Sequence, residues 1–407
     1  MDYVITGIGL YNGLGKNVDS SFESLLEGNS SIKKFNWPED DPNIFPTSHS
    51  FLKVDVAGTC DHPGDDEWVD VFQNAWRDWD SNTRMGMITA HQAISDANLT
   101  TKNAGVIFST FGRGSGTILD ILAAMNKHKS KFSPRKSLNI GEEYPAGQVS
   151  AVWGFNGPNM AINTACTTGL TSIENAINIL KVYPELDAMV VGASDRCVDA
   201  INMYWFQVLG ALSPNGHSAP FDSSRNGFVM GEGAATLVIE PINKAIRRGA
   251  KIHAIIRGCA SYTLFDSLTS PDPDGEGALT CMIMACDRAD ILPHQIDYIN
   301  AHATGTPIGD TIEYNAISRL IDGGIPVVSN KGQIGHTMSA SGLIETIYTI
   351  MSMKTGFSPG NANLINPIEG SNIILPVGKK VAVDIEFAMK NSFGFAGRNA
   401  SLILERI

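Results

Sequence analysis

The 407-residue chain is short of the features that mark several protein classes. It has no excess of positive charge: 30 Lys and Arg against 42 Asp and Glu give a formal net charge of −12, which argues against a general nucleic-acid binder with a basic face. No apolar run is long enough to span a bilayer. The opening "MDYVITGIGL" carries Asp2 where a signal peptide needs basic residues, so it reads as a first strand. The six cysteines (Cys60, Cys166, Cys197, Cys259, Cys281 and Cys286) are scattered and form no C-x-x-C pair. That excludes a disulfide scaffold and predicts a reduced, cytoplasmic setting. Low-complexity linkers and short-period repeats are also missing. What is present is 43% apolar and 18% charged residues, the balance of a well-buried globular protein of two to three domains or one large duplicated one.

Strand-like and helix-like runs alternate, an α/β pattern. Strands are predicted at 3–9, 104–110, 188–194, 234–240, 253–261, 296–302, 325–329 and 400–406. Helices are predicted at 83–99, 167–181 and 341–354. In the second, Leu170, Ile173, Ile177 and Leu180 share one face. The third is largely apolar, as a buried helix is. A boundary near "PINKAIRRGAKI" (241–252) divides the chain into halves, 1–245 and 246–407. "TGIGLYNGLG" (6–15) imitates a dinucleotide fingerprint, but Asn12 stands at the third glycine position and no helix opens where one is required.

Cys166 lies in "INTACTTGL", among small residues where a strand gives way to a helix. A helix N-terminus favours thiolate, and small neighbours admit a substrate; the stretch alone fits a buried inert cysteine equally well. His302 in "NAHATGTPIGD" and His336 in "NKGQIGHT" each follow a strand, His336 five residues after Lys331. A single histidine is more often structural than catalytic. Two in matching settings, together with the cysteine, point to a shared site. A zinc site would be expected to show short ligand spacings, and this triplet has none.

These stretches, with "PFDSSRNGFVMGEGAATLVIE" (220–240) and "NSFGFAGRNASLIL" (391–404), resemble the condensing enzymes. More narrowly, the chain resembles the elongating β-ketoacyl-acyl-carrier-protein synthases with a Cys-His-His triad. The resemblance runs from residue 4 to the end. It implies the thiolase fold, two similar α/β halves in a five-layer α-β-α-β-α core, and a homodimer. It implies a decarboxylative Claisen condensation by a discrete subunit, with no metal or diffusible cofactor, the phosphopantetheine belonging to an acyl carrier protein. Cys166 is the implied nucleophile, and the N–H groups of Cys166 and Phe395 the oxyanion hole. His302 and His336 are the implied enolate donors. Lys331 and Glu345 are implied to form a buried pair bracing His336. Thr304 and Thr306 are implied to bind the pantetheine arm, and Phe111 and Phe393 to line the substrate pocket; Asp310 and Glu313 read as structural. Chain-initiating relatives carry Asn in place of His336, and chain-length factors lose the cysteine.

Departures from the family pattern are also legible. Ala396 and Arg398 replace an expected glycine and threonine beside the gate residue Phe395. "SASG" (339–342) replaces "GAAG", and 261–275 lacks the usual Asp and His. Phe111 stands where a smaller residue is common, which predicts short or medium acyl chains or a packing role. Since carriers are acidic, docking on this acidic chain requires a local basic surface, and Lys127, Lys129, Lys131, Arg135 and Lys136 offer one. A transacylase or decarboxylase, or a non-catalytic partner, are the rival readings.

Overall fold

The computed structural model describes residues 2–35, 52–73, 75–112, 114–126, 132–269, 271–368 and 373–407. Ten strands follow one another in the order 327–328, 298–300, 387–394, 398–405, 254–263, 3–12, 233–241, 188–195, 104–109 and 159–160. The two central strands, Ala254–Thr263 and Tyr3–Asn12, pair only from Tyr3 to Ile5. This short seam joins two five-stranded sheets.

The halves repeat each other. Outward from the seam, Tyr3–Asn12 meets Gly233–Pro241 antiparallel, which meets Ala188–Asp195 antiparallel, then Ala104–Ser109 and Asn159–Met160 parallel. On the other side Ala254–Thr263, Arg398–Glu405, Phe387–Gly394, Tyr298–Asn300 and Val327–Val328 follow in the same sequence of directions. Even the helix contacts repeat. Gly7 lets the helix Ser81–Asp96 lie so close that a Cβ would fall 2.1 Å from the Ala93 carbonyl oxygen. Gly258 does the same for the helix Glu276–Ala289, with 2.4 Å to the carbonyl oxygen of Ala285. The glycines of "TGIG" thus serve strand–helix packing and no phosphate.

Helices Thr168–Val182 and Met338–Thr355 form the middle layer between the sheets. The face predicted for the first, Leu170, Ile173, Ile177 and Leu180, is buried in the largest core cluster. Residues 338–353 of the second are buried on every side, in keeping with its largely apolar sequence. With Ser81–Asp96 outside one sheet, and Glu276–Ala289 and Pro307–Leu320 on the far side of the other, the order is α-β-α-β-α, the thiolase fold. The predicted strands are present, some shorter. The strand Phe387–Gly394 was not expected, because Lys390, Asn391 and Ser392 interrupt its apolar run; all three are buried. Among the described residues no helix is long and apolar enough to cross a membrane.

Candidate active site

The turn before the helix Thr168–Val182 is tied by its own threonines. Thr164 N donates to Thr168 Oγ1 (2.9 Å), Thr168 Oγ1 donates to the Ala165 carbonyl (2.6 Å), and Thr167 Oγ1 to the Thr164 carbonyl (2.7 Å). Ala165 takes φ 55°, a left-handed conformation unusual for a residue with a Cβ. Cys166 stands next, two residues ahead of the helix, which starts at Thr168.

His336 arrives from the other half. Its N–H donates to the Val229 carbonyl (2.7 Å), and its own carbonyl accepts from Gly231 N (2.9 Å), so "FVMGEG" holds its backbone. Gly335 makes the turn at φ 72°. The result is His336 Nε2 at 3.0 Å from Cys166 Sγ. The His302 ring lies edge-on to that of His336, centroids 5.3 Å apart. Sγ and one nitrogen of each imidazole all fall within 4.8 Å of one another.

The loop bearing His302 is clamped by two buried acids of the helix Pro307–Leu320. Glu313 accepts from His302 N (2.8 Å) and Ala303 N (2.7 Å). Asp310 accepts from Thr304 N (2.9 Å), Gly305 N (3.1 Å) and Phe221 N (2.9 Å). Their structural reading therefore has a content: they fix the segment 302–305. Thr304 and Thr306 face each other, hydroxyls 3.2 Å apart. Lys331 Nζ sits 2.6 Å from Glu345 Oε1, both wholly buried. Sequence reasoning missed Lys390, which pairs with Glu345 Oε2 at 2.6 Å. It also missed Asp195, which accepts from Ala340 N (3.0 Å) at the start of the helix Met338–Thr355 and from Phe111 N (2.5 Å). The signal for Asp195 was an acid at the end of an apolar strand.

Both imidazoles are held well below the usual histidine range, by burial first and then by Lys331; they are neutral at pH 7. Among the described residues neither buried Nδ1 has a hydrogen-bond partner. Metal-bound histidines ordinarily donate their second nitrogen to a partner, so two orphaned Nδ1 atoms fit proton donors better than zinc ligands. A second close triplet, Cys60, His62 and Glu232, has Arg196 Nε 3.3 Å from His62 Nε2, which places a cation where a metal would have to bind.

One expectation is corrected. The helix N-terminus was expected to favour a Cys166 thiolate, but burial pushes the thiol up to about 12, with Lys331 opposing. Cys166 nevertheless keeps part of its surface open.

An aromatic wall adjoins the site. Phe228 packs edge-on to His336 (5.5 Å), Phe206 on Phe228 (5.3 Å) and Phe395 on Phe206 (6.4 Å). Phe111 stacks on Trp205 at 5.5 Å with planes 4° apart. Phe393 lies 6.1 Å from His302. Gly394 passes so close to Cys166 that a Cβ would lie 3.3 Å from its N. Ala396 adopts φ 60° without being glycine. The altered loop closes on this segment by backbone bonds: Ala396 N donates to Leu268 O (3.0 Å) and Leu264 N to Gly397 O (3.1 Å). Of the basic patch, Arg135 and Lys136 are exposed, with Arg135 3.5 Å from Asp78; Lys127, Lys129 and Lys131 lie outside the described residues.

The sequence matches the Beta-ketoacyl synthase N-terminal domain over residues 2–245 and the Beta-ketoacyl synthase C-terminal domain over 253–365. It is 35% identical to 3-oxoacyl-[acyl-carrier-protein] synthase 2 of Vibrio harveyi, covering 99% of this chain and 98% of that one. It is 33% identical to the mitochondrial 3-oxoacyl-[acyl-carrier-protein] synthase of Arabidopsis thaliana, with 99% and 93% covered. Among solved structures, a beta-ketoacyl synthase from Burkholderia phymatum superposes with TM-score 0.87 at 26% identity, covering 100% of this chain and 99% of that one. A polyketide ketosynthase solved with its acyl-carrier protein superposes equally well (TM-score 0.87, 24% identity, 100% and 99% covered), a likeness of fold.

Proposed function

The chain belongs to the beta-ketoacyl synthase family, and on that footing we propose that Cys166, His302 and His336 carry out a two-stage decarboxylative condensation between carrier-bound thioesters. First the Cys166 sulfur displaces the pantetheine thiol of an acyl carrier, forming an acyl-cysteine. The thiol proton leaves with the departing pantetheine sulfur. The oxyanion of this step faces the N–H groups of Cys166 and Phe395. Malonyl-carrier then loses CO₂, and its enolate carbon attacks the acyl-cysteine. Cys166 leaves as the sulfur anion, and a 3-oxoacyl chain two carbons longer remains on the carrier. Two neutral imidazoles with Nε2–H suit the enolate oxygen, because they donate without needing to lose a proton.

The observation that carries this reading is the convergence of Sγ and both imidazole nitrogens within 4.8 Å, on a family whose relatives are named for the 3-oxoacyl product. Thr304 and Thr306 are assigned to the pantetheine arm, Phe111 and Phe393 to the pocket, and Lys331 with Glu345 to bracing His336. Phe111, stacked on the half-exposed Trp205, is assigned to narrowing the pocket toward short or medium acyl chains. The carrier is assigned to the basic surface from Lys127 to Lys136; charge reversal at Lys129 and Lys131 should raise the carrier KM and leave hydrolysis of small thioesters unchanged. No metal or diffusible cofactor is assigned. A homodimer is proposed, the open sheet edge at Asn159–Met160 offering a surface for a second copy. Six unpaired cysteines favour a reduced, cytoplasmic compartment.

The test is to mix purified protein with acyl-carrier and malonyl-carrier and follow products by mass. A 3-oxoacyl-carrier supports condensation. Acyl-enzyme without it indicates a transacylase, and neither species indicates a non-catalytic partner.

A further inference from the structure

Lys390 occupies a central position of the strand Phe387–Gly394, where an aliphatic side chain would be expected, and is wholly buried. A buried ammonium is costly unless compensated. Here the compensation spans both halves of the candidate site. Its Nζ lies 2.6 Å from Glu345 Oε2. It donates to the Ala301 carbonyl (3.4 Å), one residue before His302, and to the Asn391 carbonyl. The other Glu345 oxygen takes Lys331 Nζ (2.6 Å) and Ser341 Oγ (3.0 Å). Asn391 Nδ2 reaches Glu313 (3.4 Å), the carboxylate that holds the His302 and Ala303 N–H groups.

The charged groups facing Lys390 are therefore Glu345 from Met338–Thr355, Lys331 from Lys331–Ile334 and Glu313 from Pro307–Leu320, with His302 and His336 on the adjoining loops. Glu345 lies between the two ammonium groups, one on each oxygen, and Glu313, which burial raises to about 7, is the second acid facing Lys390. Lys331 cannot substitute, since it already holds the far oxygen of Glu345.

We propose that Lys390 is a positioning residue for the condensation step: a fixed internal cation that ties the His302 segment to Glu345 and leaves no uncompensated carboxylate facing the enolate. The proposal rests on the ketosynthase reading above. Without that charge, the Glu345 oxygen that faces Lys390 is left unpaired behind the two imidazoles, where negative charge develops. The acylation oxyanion, at the N–H groups of Cys166 and Phe395, is served by different donors.

The test compares wild-type protein with Lys390→Met, a neutral side chain of similar length, in both half-reactions. Transfer to Cys166 is followed by intact-protein mass, and 3-oxoacyl formation by product mass, each across pH. Folding is checked by thermal melting. The expected result is that acyl transfer stays within about threefold and condensation falls roughly 10- to 100-fold. The acid limb of condensation should also move upward, because the Lys390 charge disfavours both imidazolium forms. Unchanged condensation, or equal loss in both half-reactions with unmoved pH limbs, overturns the proposal. If Lys390→Met does not fold, the wild-type profile decides. Burial holds Lys390 down to about 8, so condensation should decline above that pH while acyl transfer does not; condensation flat across that range overturns the proposal. A wild-type protein that forms no 3-oxoacyl product sinks the ketosynthase reading itself, and this inference with it.

Discussion

Gly169 and Gly342 meet where the two middle-layer helices cross, and this contact is expected to set how far Cys166 stands from His336. Gly169 is three residues after Cys166, and Gly342 six after His336. A Cβ on Gly169 would fall 2.9 Å from Leu343 N and 3.1 Å from Gly342 Cα. Unstrained contacts between such atoms need roughly 3.5–4.0 Å, so Gly169→Ala must part the helices by roughly 0.5 Å or more. Both obstacles are backbone and cannot rotate away. Overpacking of this kind costs about 1–3 kcal/mol. The displacement passes directly into the 3.0 Å Sγ–Nε2 contact, and misplacement on the order of 1 Å costs about 100-fold in rate. Denaturant unfolding measures the first effect and condensation turnover the second. The control is Gly147→Ala in the helix Tyr144–Trp153, where a Cβ meets nothing within 4 Å; it should be neutral or stabilise by about 0.4–1 kcal/mol. If Gly169→Ala matches the control in stability and turnover, the crossing does not set the site geometry.

Other perturbations test the polar core and the pocket. Glu345→Ala leaves Lys331 and Lys390 buried without their shared anion and should destabilise by about 3–5 kcal/mol; a denaturation midpoint near wild type would contradict the pairing. Burial raises Asp195 and Asp310 to about 6 and Glu313 to about 7. Their folded forms bind protons more readily than the unfolded chain, so their contribution is full below about pH 4 and is lost as pH rises through 6–7. Asp195→Asn should accordingly flatten the decline in melting temperature between about pH 4 and 6, and an undiminished slope would count against its share. Phe111→Ala removes one ring of the stack on Trp205 and should extend acylation toward longer chains; an unchanged chain-length profile would assign Phe111 to packing alone.

The chemistry of this site was visible in the sequence because it is local. "NTACTTG", "NAHATG" and "NKGQIGHT" each carry their own turn residues, and the threonines after Thr164 and the glycine before His336 build those turns from within. The strands and the amphipathic face of 168–182 were legible for the same reason, since pattern follows period. Other features depended on partners distant in sequence. "TGIG" displays glycines, but only the packed helix Ser81–Asp96 shows why they are small. Lys390 concealed both a strand and a role, because a lysine reads as solvated until two carboxylates are found around it. The upward push on the Cys166 thiol was likewise hidden: a helix N-terminus can be inferred from neighbours, while the loss of solvent around Cys166 depends on the whole surrounding fold. Sequence determined which groups are available and how each turn presents them. Tertiary structure decided their distances and charges, because burial and long-range pairing arise only when the two halves close on each other.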